Sequence, residues 1–170
     1  RELLLSSGNV AGTGTAQSRS VVAPSQDAAY LAAVESGDME TAQRMVDAAA
    51  KAAGWNITVF HGTDSRFTVF DKGGRVGIYA TPDAVYAGQY GRTVMKLYAR
   101  IANGVKTKTE LTTVESIKRG VDWLVELLQR FDGVVSYPES GNREVLLRAP
   151  NQIKSADPVT YDENGNVIPL

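Results

Sequence analysis

The residue pattern of this chain changes at Gly54, and that change limits the folds it can adopt. Before it lie two alanine-rich segments typical of helices, DAAYLAAVES and DMETAQRMVDAAAKAAG. After it come short β-branched and aromatic runs bounded by turn residues, of which WNITVF is the first. We therefore expect a helical hairpin over residues 25–54, with Ser25 and Asp38 as N-caps, and a strand-rich core over residues 55–170.

The segment before the hairpin has a different composition. Residues 6–26 are rich in Gly, Ser, Ala and Thr and show no periodicity, which is typical of a flexible leader or linker. We assign residues 1–24 to this leader and residues 25–170 to one domain, as a chain of 170 residues favours. The sequence begins with arginine, so we expect it to be part of a larger polypeptide. It carries no recognisable signal peptide and no run of membrane-spanning length.

The core pattern predicts several short strands and one long helix. The long helix is expected over residues 112–131, with Thr112 and Glu115 as a capping box. A hairpin is expected at the end of the chain around Asn164-Gly165. The predicted strands are WNITVF, GIYA, VMKLYARI, FDGVVSYP and REVLLRAP, and TPDAVYAGQYG is expected to form a turn and a short helix. The predicted fold class is α+β, without a Rossmann or P-loop nucleotide site.

Composition excludes several kinds of chemistry. With 18 basic and 19 acidic residues the net charge is −1, which provides no general attraction to nucleic acid or to anionic membranes. The chain has no cysteine, so disulfides and thiol nucleophiles are excluded, and a reducing compartment is consistent with that. His61 is the only histidine, so a two-histidine metal site cannot form and we expect no metal.

Three motifs are candidates for a functional site. The segment His61-Gly62-Thr63 ends the first strand, Gly77-Ile78-Tyr79 is followed eleven residues later by Tyr90, and Glu144 begins the strand EVLLR. Each motif alone is more typical of structure, because a lone histidine or a tyrosine at a strand start usually packs. Their order and spacing make them informative together.

In this order the motifs resemble the histidine–tyrosine–glutamate class of ADP-ribosyltransferases, which includes diphtheria toxin and the poly(ADP-ribose) polymerases. Over residues 28–170 the chain is more similar to the ADP-ribosyltransferase domains of polyvalent proteins from phages and mobile elements. The resemblance implies split antiparallel β-sheets, an N-terminal helical hairpin and one long inserted helix. It also implies a monomeric mono-ADP-ribosyltransferase that uses NAD and a protein acceptor in the cytoplasm of a bacterial host.

The resemblance also implies roles for individual residues. Glu144, His61 and Tyr79 are the expected catalytic residues. A carboxylate at Glu144 would stabilise the cation that develops on the ribose when nicotinamide leaves, and would fix the 2′-hydroxyl. His61 would hold a ribose hydroxyl. The expected NAD-binding residues are His61, Gly62, Thr63, Tyr79 and Tyr90, with the two tyrosines clamping the nicotinamide ring and the Gly62 backbone meeting its carboxamide.

Two positions depart from the family patterns. Ala87 stands where the polymerases have a serine that binds the carboxamide, and Asn142 stands where arginine-modifying transferases have a second acidic residue. Arginine modification by that route is therefore not expected.

The neighbouring side chains have more ordinary interpretations. Arg66, Lys72 and Arg75 lie between the first two motifs and could meet the diphosphate, although such runs are usually solvated turns. Tyr86 is expected to pack in the core, and Lys154 to be a turn or edge charge.

Other functions remain open from the sequence. In an NAD glycohydrolase, water would replace the acceptor in the same pocket. A non-catalytic NAD-binding module would keep the fold without turnover. An RNA-directed 2′-phosphotransferase would need a basic cluster that this charge balance does not offer.

Overall fold

The structure, a computed structural model, describes residues 24–65, 67, 69–70, 76–112 and 120–170. The described α-helices are α1 (Pro24–Glu35), α2 (Met39–Ala52), α3 (Ala84–Ala87) and α4 (Asp122–Arg130). The strands are β1 (Ile57–Thr63), β2 (Ile78–Ala80), β3 (Thr93–Ala99), β4 (Gly104–Thr107), β5 (Gly133–Ser136), β6 (Glu144–Leu147) and β7 (Ile153–Ser155). Two 3-10 turns cover Gly88–Tyr90 and Pro150–Gln152. The predicted α+β class is confirmed, and residues 1–23 of the predicted leader lie outside the described residues.

The two predicted N-terminal helices form, with one cap as expected and one not. The Asp38 carboxylate accepts a hydrogen bond of 3.0 Å from the Thr41 N–H and caps α2, as predicted. Gly37 has φ +75°, which lets the chain turn between the helices. The predicted N-cap at Ser25 is wrong, because α1 already begins at Pro24. Proline suits a first helical turn, where its missing N–H is not needed.

Two sheets build the core of the domain. One has the strand order β1-β3-β7 and the other β2-β6-β5-β4. All the described strand pairs are antiparallel except β4–β5, which is parallel, so the expectation of split antiparallel β-sheets is wrong at that pair. Parallel neighbours need a long crossover, and the segment between Thr107 and Gly133, which includes α4, provides it.

The sheets pack face to face and are joined by a backbone bridge. Val59 and Leu97 of the first sheet meet Val145 and Leu147 of the second in a buried apolar cluster. The Phe60 N–H donates to the Thr81 carbonyl at 2.6 Å, and the Thr81 N–H donates back at 2.9 Å. This bridge links β1 to the end of β2.

Each sheet is covered by helix on its outer face. Tyr98 of β3 is buried with Tyr30, Val46 and Ala50 of the helical hairpin. Leu124 of α4 is buried with Val134 and Leu146 of the second sheet. None of the described helices has both the length and the apolar character that crossing a membrane requires.

Several predicted elements differ from the structure. The continuous helix over residues 112–131 is wrong, since Gly120 has φ +72° and α4 begins only at Asp122. The capping box at Glu115 lies outside the described residues. In place of the two strands of the predicted C-terminal hairpin, the structure has an isolated bridge between Tyr161 and Val167. Strands β4 and β7 were not predicted.

Candidate functional site

His61 lies at the open end of the core between the sheets. It follows Val59 by two residues on β1 and therefore shares its inward face. Its Nδ1 lies 2.7 Å from the Tyr79 carbonyl oxygen. Because a carbonyl only accepts, Nδ1 carries the hydrogen, and the Nε2 of the neutral ring is left as an acceptor. Phe70 and Phe67 contact the imidazole edge-on, with centroids at 5.3 and 6.0 Å.

Tyr79 connects this histidine to the second sheet. It pairs with Leu146 of β6, and Glu144 lies two residues before Leu146, so the side chains of all three share one face. Burial, followed by the nearby charge of Glu144, raises the pKa of Tyr79 above its ordinary value. The phenol therefore stays neutral beside the carboxylate.

Glu144 is a buried carboxylate with donors on both oxygens. Its side chain is 3% exposed. Oε2 accepts from the Leu111 N–H at 2.5 Å, and Oε1 accepts from the Thr112 hydroxyl. A more distant Tyr86 hydroxyl lies 3.4 Å from Oε1. Since a buried charge is stable only when hydrogen-bonded, these donors hold the carboxylate in place.

The hydroxyl groups around Glu144 form a directed chain. The Tyr86 and Tyr90 oxygens are 2.8 Å apart, and Tyr90 lies 3.1 Å from Thr112 Oγ1. Thr112 has one proton and donates it to Glu144, so it accepts from Tyr90, and Tyr90 in turn accepts from Tyr86. Burial is the main cause that raises the pKa of Tyr86 to about 12. Tyr86 therefore keeps its proton at neutral pH, and the chain of hydroxyls ends on the carboxylate.

Gly62 presents backbone groups at an open strand edge. In a strand, residues two apart direct their N–H and C=O groups to the same edge. The N–H and C=O of Gly62 therefore point to the same edge of β1 as those of Phe60. Phe60 bonds Thr81 there, and beyond it the described residues place no further strand on β1. A Cβ on Gly62 would lie 1.8 Å from the Ala87 carbonyl oxygen and 3.2 Å from Tyr90 Cβ. Glycine thus lets α3 pack directly on β1.

The remaining predicted site residues differ in their surroundings. The Thr63 hydroxyl accepts from the Ser65 N–H at 3.1 Å, which is a local turn bond. Tyr90 is 51% exposed, so its ring is open to a ligand. The predicted cations Arg66, Lys72 and Arg75 lie outside the described residues. In the described part of the chain, no three His, Cys, Asp or Glu side chains form a group that could hold a metal ion.

Two members of this cluster were not predicted from the sequence. Tyr86, expected to pack in the core, reaches both Tyr90 and Glu144 through its hydroxyl. Its spacing of four residues from Tyr90 was the available clue, because such residues are neighbours on a helical turn. Thr112 was assigned to a helix cap, and no local pattern connects it to Glu144.

Comparison with known proteins identifies the family. Residues 51–164, more than half of the chain, match the family described as "ADP-Ribosyltransferase in polyvalent proteins". The chain belongs to this family. Its ADP-ribosyltransferase domain is therefore of a kind that uses NAD as substrate, as the sequence resemblance implied.

The other comparisons add little to the family assignment. None of the curated proteins compared with this ADP-ribosyltransferase domain matches it. A solved structure described as "Crystal structure of an anti-CRISPR protein" is similar over 58% of this chain and 93% of its own, with 13% identity and a TM-score of 0.37.

Proposed function

We propose that this domain is a mono-ADP-ribosyltransferase that cleaves the nicotinamide–ribose bond of NAD and transfers ADP-ribose to a protein acceptor. The observation that carries the proposal is the buried, hydrogen-bonded Glu144 on the same face as Tyr79, whose carbonyl holds His61. Family membership supports the same chemistry. His61, Tyr79 and Glu144 are the proposed catalytic residues.

The proposed role of Glu144 is electrostatic. When the bond between nicotinamide and C1′ breaks, positive charge develops on the ribose, and a fixed carboxylate stabilises it without reorganising. The Tyr86 hydroxyl lies 3.4 Å from Oε1 but gives its one proton to Tyr90, so Oε1 can accept another hydrogen bond. In the proposal a ribose 2′-hydroxyl donates that bond, and the bonds from Leu111 and Thr112 keep the carboxylate aimed.

The same geometry suggests where the nicotinamide ring would bind and which residue would contact the ribose besides Glu144. The cationic ring would stack between Tyr79 and Tyr90, whose electron-rich faces favour positive charge. The N–H and C=O of Gly62, at the open edge of β1, match the acceptor and donor of a carboxamide. His61 would accept a hydrogen bond from a ribose hydroxyl at Nε2, because Nδ1 is occupied by the Tyr79 carbonyl.

Bond formation would complete the transfer. A nucleophile of the acceptor attacks C1′ on the face opposite the departing nicotinamide, and the electron pair of the C–N bond leaves with nicotinamide. The acceptor proton passes to solvent or to a nearby carboxylate. With water as the nucleophile the same pocket would act as an NAD glycohydrolase.

The test is nicotinamide release from NAD by the purified domain, with Glu144→Gln beside Asp47→Asn. Asp47 is a matched control, because it also accepts from a tyrosine hydroxyl but lies on α2 against Tyr98. We expect Glu144→Gln to lower release by about 100-fold or more and Asp47→Asn to leave it unchanged. Adding a bacterial lysate and labelled NAD should place label on a protein.

Each outcome decides between functions. Release without any labelled acceptor would favour the glycohydrolase. NAD binding without release, in the presence of lysate, would favour a non-catalytic module. A Glu144→Gln variant that is folded and as active as the parent would overturn the proposed site.

A further inference from the structure

A second concave site lies at the opposite end of β1 from His61. It is a cleft of about 470 Å³ between the start of β1, the end of β3 and the end of β6. Polar side chains among its lining residues are Asn56, Arg100, Asp132, Arg148, Asn151 and Gln152. Five residues of extended chain separate Asn56 from His61, or roughly 16 Å at ~3.3 Å per residue. The cleft is therefore distinct from the proposed NAD pocket.

A buried glutamine fixes the walls of this cleft. Gln152 is 7% exposed. Its Nε2 donates to the carbonyls of Asp132 at 2.8 Å and Arg100 at 3.3 Å, and its Oε1 accepts from the Ala149 N–H at 2.9 Å. The Gln152 carbonyl also accepts from the Arg100 N–H at 3.0 Å. The side chain thus ties the segments at Arg100 and Asp132 to its own turn, so the cleft is preformed.

The cleft has an excess of positive charge. Within the described residues, neither the Arg100 nor the Arg148 guanidinium forms an ion pair. Among the described residues that line the cleft, Asp132 is the one acid, and its two oxygens accept from the backbone N–H groups of Ala102 and Asn103, each at 2.9 Å. The Arg100 guanidinium lies 4.7 Å from the centroid of the Trp55 ring, within the range of a cation–π contact.

We propose that this cleft binds the phosphate group of a small organic molecule. A planar guanidinium donates two parallel N–H bonds to phosphate oxygens, and the site offers Arg100 and Arg148 together. The side-chain amides of Asn56 and Asn151 supply further donors. The volume falls in the range of about 300–1,000 Å³ typical of small-molecule sites and leaves room for more than a phosphate ion.

The test is an NMR titration of the whole ¹⁵N-labelled chain with AMP and, separately, with inorganic phosphate. The amides of Ala102, Ala149 and Asn151 report on the cleft. We expect saturable shifts at these amides and tighter binding of AMP than of phosphate. Arg148→Gln and Arg100→Gln should each weaken AMP binding about tenfold or more, because each removes charge-assisted hydrogen bonds.

Two control variants test whether AMP binding is specific to this cleft. Arg44→Gln removes the same charge from an exposed position on α2 and should leave binding unchanged. Glu144→Gln should also leave it unchanged, so the outcome does not depend on the proposed NAD cleavage.

Three results would overturn the proposal. These are shifts that do not saturate at the cleft amides, equal losses in Arg44→Gln and Arg148→Gln, and a folded Arg148→Gln variant that binds AMP as well as the parent. Equal affinity for phosphate and AMP would show that the cleft does not recognise the organic part of a phosphorylated molecule.

Discussion

Two tyrosine–carboxylate pairs in this domain share chemistry and differ in setting. Under the helical hairpin, the Tyr98 hydroxyl donates to Asp47, and burial is the main cause that raises the pKa of Tyr98 to about 12. In the candidate site, the Tyr86 hydroxyl lies beside Glu144, and its pKa is also raised to about 12. The tyrosine pKa alone therefore does not distinguish a packed pair from a functional one.

The difference lies in which partner is buried. Tyr98 is 8% exposed, whereas its partner Asp47 is exposed on α2. In the candidate site the carboxylate is the buried partner, and the hydroxyl chain from it leads outward to Tyr90, which is 51% exposed. A carboxylate removed from water and approached by a chain of donors has the arrangement expected of a site that meets a ligand.

The largest expected difference between the two regions is the effect of replacing a glycine by alanine. Gly62→Ala places a methyl group 1.8 Å from the Ala87 carbonyl oxygen, so α3 must move away from β1. We expect NAD cleavage to fall by about 100-fold or more, because misplacing a binding group by about 1 Å has an effect of that size. In the hairpin, Gly37→Ala meets open space but has φ +75°, and should cost only about 1 kcal/mol of stability with activity retained.

Both glycine variants would be checked by urea unfolding and nicotinamide release. Equal activity of Gly62→Ala and the parent would show that the packing of α3 on β1 does not support the site.

Substitutions of Thr112 should show whether its hydroxyl positions Glu144 or only contributes to the stability of the fold. Thr112→Val removes the hydroxyl that donates to Glu144, and we expect kcat for nicotinamide release to fall about tenfold or more, with KM for NAD changing less. Thr112→Ser keeps the donor and should restore most of kcat. If valine and serine variants behave alike, Thr112 only packs.

The two tyrosines should respond differently to loss of the hydroxyl. Tyr86→Phe breaks the start of the donor chain, and we expect a fall of about threefold to tenfold in nicotinamide release. Tyr98→Phe removes the bond to Asp47 and should lower the free energy of unfolding by about 1 kcal/mol without changing release. The reverse ranking of activities would invalidate the distinction drawn between the pairs.

The smallest effect concerns alkaline stability. Because folding raises the pKa of Tyr98 from about 10 to about 12, the stabilisation from its neutral form is complete below pH 10 and is lost as pH rises through 12. Urea midpoints measured from pH 8 to 12 should therefore fall, and Tyr98→Phe should flatten that part of the profile. A profile identical in the two proteins would contradict the shift.

Sequence patterns predicted one side of the candidate site well. WNITVF, GIYA and REVLLRAP were predicted as strands, and the structure pairs the strands of Tyr79 and Glu144 as β2 and β6. The roles of these residues stay predictions. The local cap at Asp38 was confirmed because its hydrogen bond spans three residues.

The other side could not be predicted because its contacts are distant in sequence. Thr112 and Tyr86 lie 32 and 58 residues from Glu144, and no local pattern encodes such pairings. The apolar periodicity that predicted a helix over residues 112–131 was carried across Gly120, where positive φ ends any α-helix. β4 is four residues long and finds its parallel partner only after a crossover.

The bridge between Phe60 and Thr81 ties the two sheets together beside the candidate site. It joins them one residue before His61 on one strand and two residues after Tyr79 on the other. At the far end of β1 the Gln152 side chain joins the carbonyls of Arg100 and Asp132, so the sheets are held at both ends of that strand. We therefore expect a substitution at one end of β1 to leave the geometry of the other end in place.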